Sequence, residues 1–175
     1  MREALNRILT AHEPYPAVVF DRAWNLVATN ASMEEVVAWV DIDPALLEPP
    51  INLLRTGLHP RGLAPLIVNL AQWRAHFLQR LGQQIAISGD DDLRSLMDEV
   101  AAYPAPEDEE GDATEAGGEM LGPVRLRAPG GGEWSFFGMF ASFDTPFEVT
   151  TSELAIELLF PADRATAEAL EKGAP

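Results

Sequence analysis

The sequence predicts an α+β domain in which a five-stranded antiparallel sheet is covered by helices over one face. Three observations lead to it. Two short β-type runs lie near the N-terminus and three near the C-terminus, so strands from both ends must share one sheet. The stretch between them carries helical apolar spacing. The 175 residues, 47% of them hydrophobic, suit one domain with a packed core.

The elements follow in order. Residues 2–9 form a short amphipathic helix with Leu5, Ile8 and Leu9 on one side, and Pro14 and Pro16 stop it. Val18, Val19 and Phe20 make a strand, Asp21 and Arg22 a turn, and residues 24–29 the returning strand. Asn30 caps a helix carrying Met33, Val36, Val37 and Val40. After Pro44, Pro49 and Pro50 comes a short helix over 51–60, closed by Pro60. A longer helix is predicted over 65–87, with Leu66, Leu70, Trp73, Phe77 and Leu81 on one face. Gly89 to Asp92 end it and cap a helix that buries Leu93, Leu96, Met97 and Val100; Asp residues suit that N-terminus through its dipole and free amides.

Residues 105–122 read as an acidic, flexible loop without apolar periodicity. Val124 and Leu126 alternate with Arg125 and Arg127 in a half-exposed strand, and Gly130 to Gly132 supply a hairpin turn. The strand over 133–144 is apolar on both parities, which predicts a sheet covered on both sides. A last strand covers 153–160, and a helix over 164–170 closes the chain. The expected organisation is a connector helix over 1–12 and one domain over 13–171.

Composition excludes several functions. Lys+Arg is 12 and Asp+Glu 28, a formal net charge of −16, and no cationic cluster offsets it, so the chain alone is a poor partner for nucleic acid. The absence of cysteine removes disulfides, iron–sulfur clusters, thiolate zinc sites and a cysteine nucleophile. No apolar run reaches the roughly 20 residues of a spanning helix, and the N-terminus opens no signal peptide, so the expectation is a cytoplasmic protein without membrane contact. No hydrolase elbow, phosphate-binding loop or zinc-protease motif is present, and His12, His59 and His76 lack the spacing of a metal triad. The chain is therefore expected not to be an enzyme and to carry no cofactor or metal. Glu157, inside an apolar strand, either faces solvent at an edge or meets an arginine.

This element order is that of a PAS domain, and Phe20 to Trp24 followed by Val27 to Asn30 looks like its opening hairpin. Three further segments narrow the resemblance: NLLRTGLHP (52–60), IVNLAQWRAHFLQRL (67–81), and SFFGMFASFDTP with ELAIELLFPAD (135–163). Together they resemble the ligand-binding domain of MmyB-like bacterial transcription regulators, over roughly residues 5–170. The resemblance implies a PAS-like sensor of a small, fatty-acid-like ligand, joined to a helix-turn-helix DNA-binding domain that this chain is expected to lack. It also implies a homodimer, since two DNA half-sites favour two-fold symmetry. The alternative is a dimerisation or protein-interaction module without a ligand.

The expected ligand site joins Leu54 and Leu58 of the short helix, Trp73 and Phe77 of the long one, Phe136 and Phe140 of the penultimate strand, and Ile156 with Leu154 and Leu158 of the last. Phe137, Met139 and Phe143 are the alternative lining should the other parity face the helices. Arg55, His59 and Arg74, near this lining in sequence, are the candidates for a carboxylate head group.

Overall fold

The computed structural model describes residues 2–104, 122–142 and 154–172. The expected acidic loop (except its last residue) and Phe143 lie outside the described residues. The element order is α1 (Arg2–Ala11), β1 (Ala17–Phe20), β2 (Leu26–Thr29), α2 (Ala31–Ala38), α3 (Leu53–Leu58), α4 (Leu70–Ser88), α5 (Asp91–Ala101), β3 (Val124–Arg127), β4 (Glu133–Ser142), β5 (Ala155–Pro161) and α6 (Arg164–Glu171), with short 3-10 turns at Pro44–Leu47 and Ala64–Leu66. The strands form one five-stranded sheet in the order β2-β1-β5-β4-β3, and every pair is antiparallel. The last strand therefore sits at the centre, between the first strand and the fourth.

Caps read from the sequence are made. Asn30 is 5% exposed. Its Oδ1 accepts from Met33 N at 3.1 Å and from Ala17 N at 2.9 Å, so one side chain starts α2 and holds β1 beside it. Asp90 caps α5 by accepting from Asp92 N at 2.9 Å, and Gly89 closes α4 with a φ of 68°, in the left-handed region that glycine tolerates.

Two boundaries differ from the sequence reading. The strand expected from Trp24 begins at Leu26, because Trp24 adopts a φ of 65° in the Asp21 turn, where Asp21 Oδ1 accepts from Ala23 N and Asn25 N. The long helix starts at Leu70 rather than near Pro65, because the chain before it pairs with β3 instead. Ile67 bridges Leu126, Val68 N donates to the Arg125 carbonyl at 2.8 Å, and Asn69 Oδ1 accepts from Arg125 N at 2.9 Å.

The register separates two faces. Val18 lies beside Glu157 and Phe20 beside Ala155, while Phe140 lies beside Glu157 and Gly138 beside Leu159. These residues face α2 to α4. Ala17, Val19, Leu154 and Ile156 point the other way and pack against Leu5 and Leu9 of α1, so the N-terminal helix closes on its own sheet. Coverage of that outer face is incomplete: Phe137 and Met139 remain 47% and 50% exposed, against the expectation from two apolar parities.

Candidate functional site

Between the inner face of the sheet and the helices lies a cavity of about 350 Å³. That falls in the lower part of the ~300–1,000 Å³ typical of small-molecule sites. Its wall is built by Met33, Val36 and Val37 of α2, Leu54 and Leu58 of α3, and Trp73 and Phe77 of α4. The sheet contributes Val18, Val124, Leu126, Glu157 and Leu159. The helical residues recur at spacings of three or four, which puts each set on one face. Gly57, mid-helix in α3, also borders the cavity, and a Cβ added there would meet nothing within 4 Å.

Few polar groups reach this wall. Thr56 Oγ1 donates to the Leu46 carbonyl at 3.2 Å, and Thr29 Oγ1 donates to Glu34 at 3.2 Å near the rim. Glu157 forms no hydrogen bond among the described residues. Removal from water pushes its carboxyl up to about 7, against which the positive charge of Arg80 acts. Among the described residues Arg80 closes no ion pair; its guanidinium carbon lies 3.9 Å from the centre of the Phe140 ring and 5.8 Å from that of Trp24. Burial lowers the pKa of Arg80, while Glu157 opposes that shift. His76 is lowered too, by burial first and by the Arg80 charge second. Trp24 Nε1 donates to Gln84 Oε1 at 2.9 Å, whereas Trp73 Nε1 is buried with no hydrogen-bond partner among the described residues.

The family model for the MmyB-like transcription regulator ligand binding domain matches residues 1–172. The chain belongs to this family. A search of curated proteins found no match. The family is one of regulator ligand-binding domains and not a class of enzymes. Among the described residues, no helix is long and apolar enough to cross a membrane, and no group of three or more His, Cys, Asp or Glu could hold a metal ion.

In this MmyB-like domain Leu54, Leu58, Trp73 and Phe77 meet on the cavity wall. Phe136 and Phe140 are on the inward parity, but neither borders the cavity. Phe136 is fully buried in the cluster of Trp73, Val124 and Leu159, and Phe140 packs edge-on to Phe20 at 6.4 Å beneath Arg80. Ile156 departs from the expected lining, as do Leu154 and Leu158: they pack in the outer cluster with α1, because inward positions on β5 are the odd-numbered ones. The alternative lining by Phe137 and Met139 also lies on the outer face.

The three head-group candidates are engaged elsewhere. Arg55 pairs with Glu99 of α5, Nε to both carboxylate oxygens at 2.9 Å, and Tyr103 donates to the same carboxylate at 2.7 Å. The Arg55 bond above all holds Glu99 below its ordinary pKa, and burial together with Glu99 pushes the Tyr103 hydroxyl up to about 12. His59 Nδ1 accepts from Arg61 N at 3.0 Å in the turn after α3. Arg74 donates to the Ala101 carbonyl at the end of α5. Arg55 and Arg74 thus tie α3 and α4 to α5, and His59 holds its own turn. A polar residue of the sheet that does border the cavity, with no hydrogen bond among the described residues, is Glu157, whose sequence signal was a lone carboxylate inside an apolar strand.

Proposed function

We propose that this domain senses a small, chain-like apolar molecule of the fatty-acid type, held in the cavity between sheet and helices, and that occupancy sets the state of a transcription regulator. The observation that carries the reading is an almost wholly apolar cavity of about 350 Å³ in a domain whose family is named for ligand binding. Burying ten methylenes would yield roughly 8 kcal/mol gross at about 0.8 per group, which sets a micromolar ceiling for the chain alone before the entropy of association is subtracted. DNA contact would fall to a helix-turn-helix domain, since a surface carrying −16 repels phosphate.

A two-fold homodimer belongs to the same reading. Phe137 and Met139, half exposed on the outer face beside the strand that α1 covers, offer a second copy apolar area to bury. Light scattering of wild type and of a Met139→Asp variant tests this: a dimer that the variant dissociates supports it, and two monomers contradict it. A pure dimerisation module, the other reading, would leave the cavity without a ligand.

The ligand test is calorimetric titration with decanoate and with decan-1-ol of wild type, of a Leu58→Trp variant that fills the cavity, and of an Ile156→Val variant on the outer face. Wild type and Ile156→Val should bind at least one of the two probes with similar affinity, and Leu58→Trp, folded by circular dichroism, should bind it at least ten-fold more weakly. Binding of neither probe to wild type, or equal binding by folded Leu58→Trp, would overturn the reading.

A further inference from the structure

The apolar wall accounts for the ligand's chain and leaves its head group to be argued from the polar atoms. Among the described residues, two side chains of the wall have polar groups without a hydrogen bond: the Glu157 carboxyl and the buried Trp73 Nε1–H. They border one patch of sheet. A Cβ placed on Gly138 would stand 3.2 Å from Glu157 Oε1 and 3.7 Å from the Trp73 ring carbon Cη2, so glycine at this position leaves room for both.

Each group carries a cost as it stands. A buried donor without an acceptor forfeits the hydrogen bond that water would have given it. A carboxyl removed from water stays protonated to higher pH unless a donor or cation meets it. The charged group whose field reaches Glu157 is Arg80 of α4; His76 of the same helix feels Arg80, and Glu34 of α2 borders the cavity. Arg80 is not within ion-pair distance and lies over the Phe140 ring, so it tempers the field without occupying the carboxyl.

A carboxylate head brought to this patch would meet a second carboxyl in an apolar pocket, where two neighbouring charges of one sign are strongly disfavoured. A hydroxyl adds no charge to the patch, and its proton can go to a Glu157 carboxyl oxygen. We propose that Glu157 is the head-group contact of the cavity and selects a chain-like apolar ligand ending in a neutral hydroxyl over one ending in a carboxylate. The proposal rests on the cavity being the ligand site.

The experiment compares decan-1-ol and decanoate, the same chain with two heads, by calorimetric titration at pH 8.5, where both decanoate and Glu157 are ionised. Wild type should bind decan-1-ol at least ten-fold tighter. In Glu157→Gln, which keeps the side-chain size, that preference should shrink at least five-fold, mainly through tighter decanoate binding. His76 is not removed by this variant, so the change isolates Glu157. In wild type the preference should also shrink from pH 8.5 to pH 6, as Glu157 takes up its proton. A preference that is absent in wild type, or one that neither the variant nor the lower pH alters, overturns the head-group assignment while leaving the cavity reading intact. Failure of both probes to bind overturns the cavity reading and this assignment with it.

Discussion

The two faces of one sheet are built on opposite plans. On the outer face, Ala17, Val19, Leu154 and Ile156 meet Leu5 and Leu9 of α1 in a packed apolar layer. On the inner face, the neighbouring residues of the same strands, Val18, Glu157 and Leu159, border a cavity of about 350 Å³. Side chains alternate across a strand, so one peptide segment supplies both plans. The comparison teaches that stability and binding are divided by parity: α1 closes one side, while α2, α3 and α4 arch over the other without filling it.

Truncation should break the comparison most visibly. Ile156 is 2% exposed in the packed layer, so Ile156→Ala should cost about 3–4 kcal/mol, because deleted atoms leave a new void among close-packed neighbours. Leu58 is buried to a similar degree but borders space that is already empty, so Leu58→Ala should cost about 2 kcal/mol, at the low end for such substitutions. Urea unfolding of both variants measures the difference. Equal costs would show that the inner face is as tightly packed as the outer.

The next largest effect is at Glu157, and it has a sign that pH reveals. The carboxyl rises from an ordinary value of 4.5 to about 7 on folding. Below pH 4.5 it is protonated in both states and costs nothing; as pH rises toward about 7 the unfolded chain ionises first, and stability falls. Above about 7 the full penalty is present. Glu157→Gln should therefore stabilise the domain by about 1–3 kcal/mol at pH 8 and by nothing measurable at pH 4. Thermal melts across that range check it, and a variant less stable than wild type at pH 8 would mean that the carboxylate has a partner.

The smallest effect is at Gly57. It sits in α3 beside the cavity, with nothing within 4 Å of an added Cβ. Gly57→Ala should stabilise by about 0.5–1 kcal/mol, because alanine loses less backbone entropy in a helix and no neighbour is pushed. Denaturant midpoints at constant slope test this, and a destabilised variant would place an unseen constraint on α3.

The sheet, the helix order and the caps were legible because each has a local chemical cause. Asn30 and Asp90 are placed where free helical amides need an oxygen, and Trp73 and Phe77 fall four apart on one helical face. The orientation of β4 and β5 was not legible. Both parities of β4 are apolar, so no alternation marks an inside. On β5, Leu154, Ile156 and Leu158 form a continuous apolar stripe interrupted on the other parity by Glu157, and that stripe faces α1 rather than the cavity. A carboxylate facing inward is the reverse of what burial cost leads one to expect, which is why it marks the site. The basic residues failed for a geometric reason. Arg55 is one position from Leu54, about 100° around the helix, and so points to Glu99 of α5 while Leu54 points to the cavity.

The four tryptophans allow the division between the two plans to be read in one spectrum. Trp24 and Trp73 border the cavity, and Trp39 and Trp134 pack edge-on to each other at 4.7 Å away from its wall. Trp24 Nε1–H is held by Gln84, whereas Trp73 Nε1–H has no partner among the described residues. In a ¹H–¹⁵N correlation titration with decan-1-ol, the account predicts that the Trp73 indole signal moves most and Trp24 less, while Trp39 and Trp134 stay. No shift at saturating decan-1-ol, or shifts at Trp39 and Trp134 with Trp73 unmoved, would contradict it.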